Sequence, residues 1–401
     1  MLDIAGGTYL EYCVEPHWSQ LFGSGVRAAA SLSNLSKKII LHTYTSTRCD
    51  RTLKLMADSL RFEVDTKVAS DTISFHYTHG LSDPTIQPQI NSIRQASSHQ
   101  IVADNILRFG FMEGDAVVHG RKVVFDPQSV HAPQNFGANG STAERLAIIA
   151  NFNEASKMTG ENELRRIGRK LIYGQKAEIA VIKMGPRGAA LFSKNGSMDY
   201  ITPYKTEFVW PIGSGDIYAS AFAHYWAERS FTPSKAANLA SVAAAVFCNS
   251  RSLPLPSDFM KSSSLKPLRF SRRKTRRIYL AGPFFTMAQR WLVEEVRTCL
   301  LNFGLPVFSP YHDVGLGAAF NVVPLDIEAL DRTDLVFVIA DGLDPGTIFE
   351  AGHARAKGIP VIVFVQNEKE GDLKMLRGTN CEIVDDFASA IYRTVWLALE
   401  R

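Results

Sequence analysis

The chain has 401 residues, enough for two or three domains of about 100–200 residues each, and its 46% hydrophobic and 21% charged residues describe an ordinary globular protein, not a fibrous, disordered or membrane-embedded one. No segment approaches the ~18 apolar residues of a membrane helix, and MLDIAGGTYLEYC lacks a basic start followed by an apolar stretch and a small-residue cleavage site, so a cytoplasmic location and no membrane partner are expected. The net charge of +4 does not point to nucleic acid: residues 266 to 277, KPLRFSRRKTRR, hold seven Lys or Arg and no acid, so the rest of the chain sums to −3.

In chain order, glycine-containing stretches come first, GGTYLE at 6 to 11 and GSGVRAAASLSNL at 23 to 35, then VVFDPQ at 123 to 128, IIANFNEASKMTG at 148 to 160 and VIKMGPRGAALF at 181 to 192. VWPIGSGDIYASAFAHYWAE follows at 209 to 228, where Gly213-Ser-Gly215-Asp216 leads into an apolar-periodic run. Glycine-flanked backbone N–H groups at a helix start make an anion site with a carboxylate beside it, and the same residues equally suit a tight turn and helix cap. From about residue 253 to 277, prolines, a serine triplet and the basic run replace apolar periodicity, which marks a linker; the domains are expected at 1–257 and 276–401 with 258–275 between them. The five cysteines show no CxxC pair and no histidine at ligand spacing, so reduced thiols and no metal are expected.

Beyond the linker, RIYLAG reads as a strand and MAQRWLVEEVRTCLLNFG as a helix stopped by Gly304. VFSP, a short helix near 324 to 332, the strand DLVFVIA, a turn and helix in DPGTIFEAGHARAKG, the strand PVIVFV and a final helix near 385 to 399 complete the pattern. Short apolar runs alternating with helices specify a parallel sheet covered on both faces, and ligands then bind beyond the carboxyl ends of the strands. Three loops fall there, at 281 to 285, 309 to 313 and 340 to 347.

Thr347-Ile-Phe-Glu350 fits a capping box, which would place Glu350 in the first helical turn beside the positive end of the helix dipole, where its ionised form is favoured. An ionised, partly desolvated carboxylate also suits a glycosyl-transfer nucleophile. Asp341 and Asp344 lie in the preceding loop, with Asp326 and Asp331 upstream, so several carboxylates can converge, although Asp341-Gly-Leu-Asp344-Pro-Gly also reads as a plain turn. His353, one turn beyond Glu350, and His312 in SPYHD are open between site and surface roles.

RIYLAGPFF together with LDIEALDRTDLVFVIADGLDPGTIFEAGHARAKGIPVIVF, over roughly 276 to 400, resembles the nucleoside 2-deoxyribosyltransferases. The resemblance implies that Glu350 attacks C1′ and carries the deoxyribosyl group as an ester, and that Asp344 and Asp326 bind the base and handle its proton. It implies further that Tyr279 holds Glu350, that Gly282 and Phe284 shape the base pocket with Asp341 close by, and that Asn380 reaches a neighbouring subunit's sugar, so a homo-oligomer is expected. No cofactor is implied for this step.

The stretches quoted from residues 1 to 257 resemble a diverged sugar and nucleoside kinase of the ribokinase, or PfkB, type. That resemblance implies ATP and Mg2+, Asp216 as the base that deprotonates an acceptor hydroxyl, Gly213 and Gly215 as the anion hole, and Asn151 with Glu154 as the element that organises magnesium and phosphate. Trp210, Glu11 and Arg27 depart from the family pattern, at the start of the signature and in the sugar site. The expected architecture is a ribokinase-like α/β domain followed by a smaller doubly wound, flavodoxin- or Rossmann-like parallel-sheet domain. The expected activity is cleavage or transfer at a nucleoside N-glycosidic bond, on a small-molecule nucleoside, nucleotide or sugar. The alternative is a hydrolase of nucleotides or NAD, with the kinase-like half as a ligand-sensing or assembly module.

Overall fold

A computed structural model of the chain describes residues 1–129, 133–261, 265–270 and 276–400. It divides into two compact units, Met1–Thr206 with Trp210–Pro267 and Glu207–Val209 with Leu268–Arg401. Part of the expected linker, residues 262–264 and 271–275, lies outside the described residues.

Unit 1 begins with β1 (Leu2–Ala5), β2 (Tyr9–Glu15), β3 (Trp18–Phe22), α1 (Gly23–Leu32), β4 (Ile39–Thr45), α2 (Thr47–Leu60), β5 (Glu63–Val68), β6 (Ser74–His79) and β7 (Thr85–Gln87). It continues through β8 (His99–Phe109), β9 (Ala116–Asp126), β10 (Thr142–Asn151), α3 (Phe152–Thr159), α4 (Leu164–Gly174), β11 (Ile179–Lys183), β12 (Ala189–Ser193) and β13 (Met198–Ile201). The strand β14 (Tyr204–Lys205), the helices α5 (Ser214–Ala223) and α6 (Pro233–Ser250), and β15 (Lys266–Pro267), paired with β14, complete it. Nine strands form one sheet in the order β13-β12-β11-β10-β9-β8-β1-β4-β5, parallel except for β12, which runs antiparallel to its neighbours β11 and β13. A second sheet, β3-β2-β6-β7, was not legible in the sequence.

The central strands are largely apolar because both faces are covered: all four residues of LDIA in β1 are buried, Asp3 among them, as are all ten residues of α1. Gly25 sets how closely α1 can lie on the chain after β1, since a Cβ there would stand 2.4 Å from the Gly6 carbonyl oxygen. The Ser31 and Ser220 hydroxyls hydrogen-bond at 2.9 Å between α1 and α5, which satisfies two buried polar groups within an apolar layer.

Unit 2 contains β16 (Ile278–Ala281), α7 (Met287–Asn302), β17 (Val307–Phe308), α8 (Pro310–Asp313), α9 (Ala319–Asp331) and β18 (Leu335–Ile339). These are followed by α10 (Pro345–Ala356), β19 (Val361–Phe364), α11 (Lys374–Gly378), β20 (Glu382–Val384) and α12 (Phe387–Leu399). Its five strands run in the order β17-β16-β18-β19-β20, all parallel, which is the doubly wound arrangement with its switch point beside β16. The three loops picked out from the sequence therefore leave the carboxyl ends of β16, β17 and β18 on one edge. The helix expected near 324 to 332 starts earlier, at Ala319, and Pro324 lies inside it. Among the described residues no helix is long and apolar enough to cross a membrane.

Candidate functional site

In unit 2 the start of α10 differs from the expected capping box. Asp344 is the N-cap: its Oδ2 accepts from the Thr347 N–H at 2.8 Å and from the Thr347 hydroxyl at 2.9 Å. Pro345 occupies the first helical position, where a missing N–H is harmless. Glu350 is thus the sixth helical residue, one turn further in than expected, and does not close the helix end.

Glu350 instead accepts a hydrogen bond from the Tyr279 hydroxyl of β16 at 2.6 Å. Tyr279 is fully buried, and its ring stacks on Phe308 of β17, 5.4 Å between centroids, so the donor is held by packing on two strands. Burial raises the Glu350 carboxyl to about 7; the Tyr279 hydrogen bond pulls it down, and the charges of Asp326 and Asp344 push it up. The sequence expectation that the helix dipole favours the ionised form is overturned here, because Glu350 sits beyond the first turn, where that field has faded. Desolvation and the Glu350 charge raise the Tyr279 phenol, which stays protonated as a donor.

Asp326 lies on α9, and burial raises its carboxyl as well. Its Oδ1 is buried without a hydrogen-bond partner. Tyr279, Glu350, Asp326 and Asp344 therefore form one electrostatically coupled group at the switch point.

Of the remaining predicted residues of this unit, Gly282, Phe284 and Asp341 lie in loops at the same carboxyl edge, whereas Asn380 precedes β20 at the opposite edge. Phe284 packs on Phe285 and on Tyr311 of α8 at 5.6 and 5.4 Å, an aromatic wall to which Tyr311, unremarked in the sequence, contributes. Gly282 faces Ile339, which a Cβ would approach to 3.1 Å. Asp341 accepts from the backbone N–H groups of Gln366 and Asn367, which ties the loop after β18 to the loop after β19. Asn380 adopts a left-handed conformation, φ 61°, in the loop before β20. His353 turns to Asp331 at 2.7 Å and His312 to Glu294 at 2.7 Å, so neither touches Glu350 in this structure.

In unit 1, Gly213 (φ 77°) is the N-cap of α5, and Asp216 sits in its first turn. Both oxygens of Asp216 are engaged: Oδ2 accepts from Arg27 at 2.7 Å and Oδ1 accepts from Gln128. The other side of the Arg27 guanidinium donates to Glu11 Oε2, while Glu11 Oε1 accepts from the Gly23 N–H at 3.0 Å. All three charged side chains are at least nine-tenths buried. Arg27 also covers the glycine turn, since a Cβ on Gly213 would stand 2.2 Å from its Nε. Glu11 and Arg27, noted in the sequence only as departures from the family, therefore form one network with Asp216.

Asn151 and Glu154 cap α3 reciprocally, with Asn151 Oδ1 accepting from the Glu154 N–H and Glu154 Oε2 from the Asn151 N–H, at 2.8 and 2.9 Å. Lys183 binds Asp126 at 2.6 Å, and its Nζ would lie 3.3 Å from a Cβ on Gly215. Asp126 Oδ1 is buried without a partner. Lys183, Asp126 and the N-terminus of α5 thus suit a bound phosphate with its cation, whereas Asp216 is committed to Arg27 and Gln128.

Comparison with known proteins divides the chain in the same way. Residues 278–384 match the family "Nucleoside 2-deoxyribosyltransferase", and residues 146–258 match the "pfkB family carbohydrate kinase". A curated relative, 5-dehydro-2-deoxygluconokinase of Bacillus subtilis (strain 168), is 28% identical over 117 residues, which is 26% of this chain and 35% of that protein's length. Solved structures similar to the chain include a fructokinase from Vibrio cholerae O395 in fructose-, ADP- and calcium-bound form, with TM-score 0.48 and 13% identity over 65% of this chain and 98% of that one. A ribokinase from Thermotoga maritima matches with TM-score 0.45 and 13% identity over 65% and 98%. The chain is a fusion of a pfkB kinase-like domain and a nucleoside 2-deoxyribosyltransferase-like domain.

Proposed function

We propose that unit 2 breaks and remakes the N-glycosidic bond of a nucleoside, with Glu350 as the covalent carrier. The observation that carries this reading is the Tyr279 hydroxyl 2.6 Å from Glu350 in a half-buried cluster of carboxylates at the switch point. Glu350 attacks C1′ as the C1′–N bond opens, and the bond pair leaves with the base. Asp326, with its raised carboxyl and unpartnered Oδ1, is suited to give that base a proton. A second base attacking the ester regenerates a nucleoside; water attacking it gives a free sugar.

The test is release of base from 2′-deoxynucleosides, nucleotides and NAD by the intact protein and by Glu350→Ala, with and without added free base. Exchange of base assigns a transferase and release without exchange a hydrolase. Equal rates in the variant would remove Glu350 from the chemistry.

For unit 1 we infer that it binds a ligand without phosphorylating it. A general base has to turn toward the acceptor hydroxyl, and here the Asp216 carboxylate is ion-paired to Arg27 and accepts from Gln128, which holds it on partners within the protein. When bound, a nucleotide with Mg2+ would supply phosphoryl groups; Lys183, Asp126 and the α5 N-terminus are the residues that would hold them. ATP consumption unchanged between the intact protein and Asp216→Asn, across a panel of sugars and nucleosides, is expected. Sugar-dependent consumption lost in Asp216→Asn would overturn the inference.

A further inference from the structure

Unit 1 carries a second cluster, away from the Asp216 network, that no catalytic reading absorbs. His42 on β4, Asp65 on β5 and His99 at the start of β8 bring two imidazole nitrogens and a carboxylate oxygen to within 4.8 Å of one another. His42 Nδ1 stands 2.8 Å from Asp65 Oδ2, and His99 Nδ1 stands 3.7 Å from the same oxygen.

The outer nitrogen of each ring is already assigned. His99 Nε2 lies 3.1 Å from the Thr43 carbonyl oxygen, which can only accept, so Nε2 carries the proton. With the proton on Nε2, the neutral ring turns the lone pair of its Nδ1 toward Asp65 Oδ2. His42 Nε2 lies 2.9 Å from Asp3 Oδ1, again an acceptor. Asp3 is 5% exposed and its Oδ2 has no hydrogen-bond partner, so the buried aspartate depends on His42 for its compensation.

Two imidazole nitrogens, His42 Nδ1 at hydrogen-bond distance and His99 Nδ1 with its lone pair, thus converge on one carboxylate oxygen. A proton on His42 Nδ1 satisfies one contact and leaves His99 Nδ1 facing an anion. A metal ion satisfies both. Lys67, whose charge reaches His99, donates to the Ser98 carbonyl at 2.9 Å. An outer N–H on a carboxylate for one histidine and on a backbone carbonyl for the other is the arrangement that orients metal-bound imidazoles.

We propose that His42 Nδ1, His99 Nδ1 and Asp65 Oδ2 form a site for a divalent transition-metal cation such as zinc, with Asp3 and the Thr43 carbonyl orienting the two rings. Zinc bonds of about 2.0–2.1 Å place tetrahedral donors about 3.3 Å apart, which the 2.8 and 3.7 Å separations bracket. Asp65 is 59% exposed, which gives the ion an entry path and leaves a fourth position to water. The ion would tie edge strand β5 to β4 and to the start of β8. The sequence hid this site because its ligands are 23 and 34 residues apart.

The full chain, stripped with a chelator, is titrated with zinc at pH 7.5 by calorimetry in buffers of different ionisation enthalpy, and with cobalt(II) by visible absorption. One zinc per chain is expected at micromolar affinity or tighter, with release of about one proton as His42 Nδ1 changes partner. Asp65→Ala, at an exposed position, should weaken binding at least tenfold without altering the circular dichroism, and Asp3→Asn should weaken it about 10–100-fold through His42. Absence of saturable zinc binding by the intact chain, or binding by Asp65→Ala equal to that of the intact chain, would overturn the proposal.

Discussion

Replacing Tyr279 by Phe removes one oxygen and leaves the ring and its stack on Phe308 in place. The lost contact is the 2.6 Å hydrogen bond to Glu350, the interaction that holds its carboxyl down at about 7 against burial and against Asp326 and Asp344. A hydrogen bond to a charged group is worth about 1.5–3 kcal/mol, and one pKa unit corresponds to ~1.4 kcal/mol, so the Glu350 carboxyl should rise by about 1–2 units. If the ionised form is the nucleophile, the acid limb of kcat/KM for base release moves from about pH 7 to roughly pH 8–9. The variant then loses roughly tenfold to hundredfold at pH 6.5 and recovers most of its activity at pH 9 and above. The assay is kcat/KM against pH with one 2′-deoxynucleoside, monitored by free base. A uniform loss at every pH, with the limb still near 7, would refute the electrostatic argument and leave Tyr279 a packing residue.

Three further outcomes follow from named contacts. Asp326→Asn should slow release of ordinary bases at least about tenfold while sparing substrates whose leaving group needs no proton; equal loss on both removes its acid role. Glu350, raised to about 7 from an ordinary 4.5, stabilises the folded state below pH 4.5 and loses that contribution as pH rises through 7, so Glu350→Gln should flatten the fall in stability across this window in denaturant titrations. Arg27→Ala strands the buried carboxylates of Glu11 and Asp216 and should cost about 3–5 kcal/mol in chemical denaturation; a change below about 1 kcal/mol would mean that water or the other groups already compensate them.

Much of unit 2 was legible because its strands, such as LVFVI of β18, are buried on both faces and stand out as unbroken apolar runs. The cap of α10 was misread because Thr347-x-x-Glu350 and Asp344-x-x-Thr347 are both plausible starts, and Pro345, which fits only the first helical position, was the deciding residue. Unit 1 was legible at its glycine turns and at GSGD, but the strands of its second sheet carry mixed polar and apolar residues, as in SFHYTH of β6, which no period identifies. Nor could spacing show that Arg27 and Asp216, 189 residues apart, close on each other.

The two aspartate- and glutamate-centred clusters illustrate what separates a poised carboxylate from a committed one. Glu350 and Asp216 are both on helices in α/β sheets, and both are shielded from water. Glu350 has a neutral donor on one oxygen and two further carboxyl groups nearby, so its proton is loosely placed near pH 7, where small changes in its surroundings switch it between base and acid. Asp216 has a guanidinium on one oxygen and an amide on the other, so its charge is paired and each oxygen already accepts a hydrogen bond before any substrate arrives. Reactivity therefore follows from the charge and the proton count of the partners, and burial alone does not distinguish the two. On that ground the proposed glycosidic chemistry is placed on Glu350, and the Glu11–Arg27–Asp216 network is proposed to serve the stability and ligand-binding shape of unit 1.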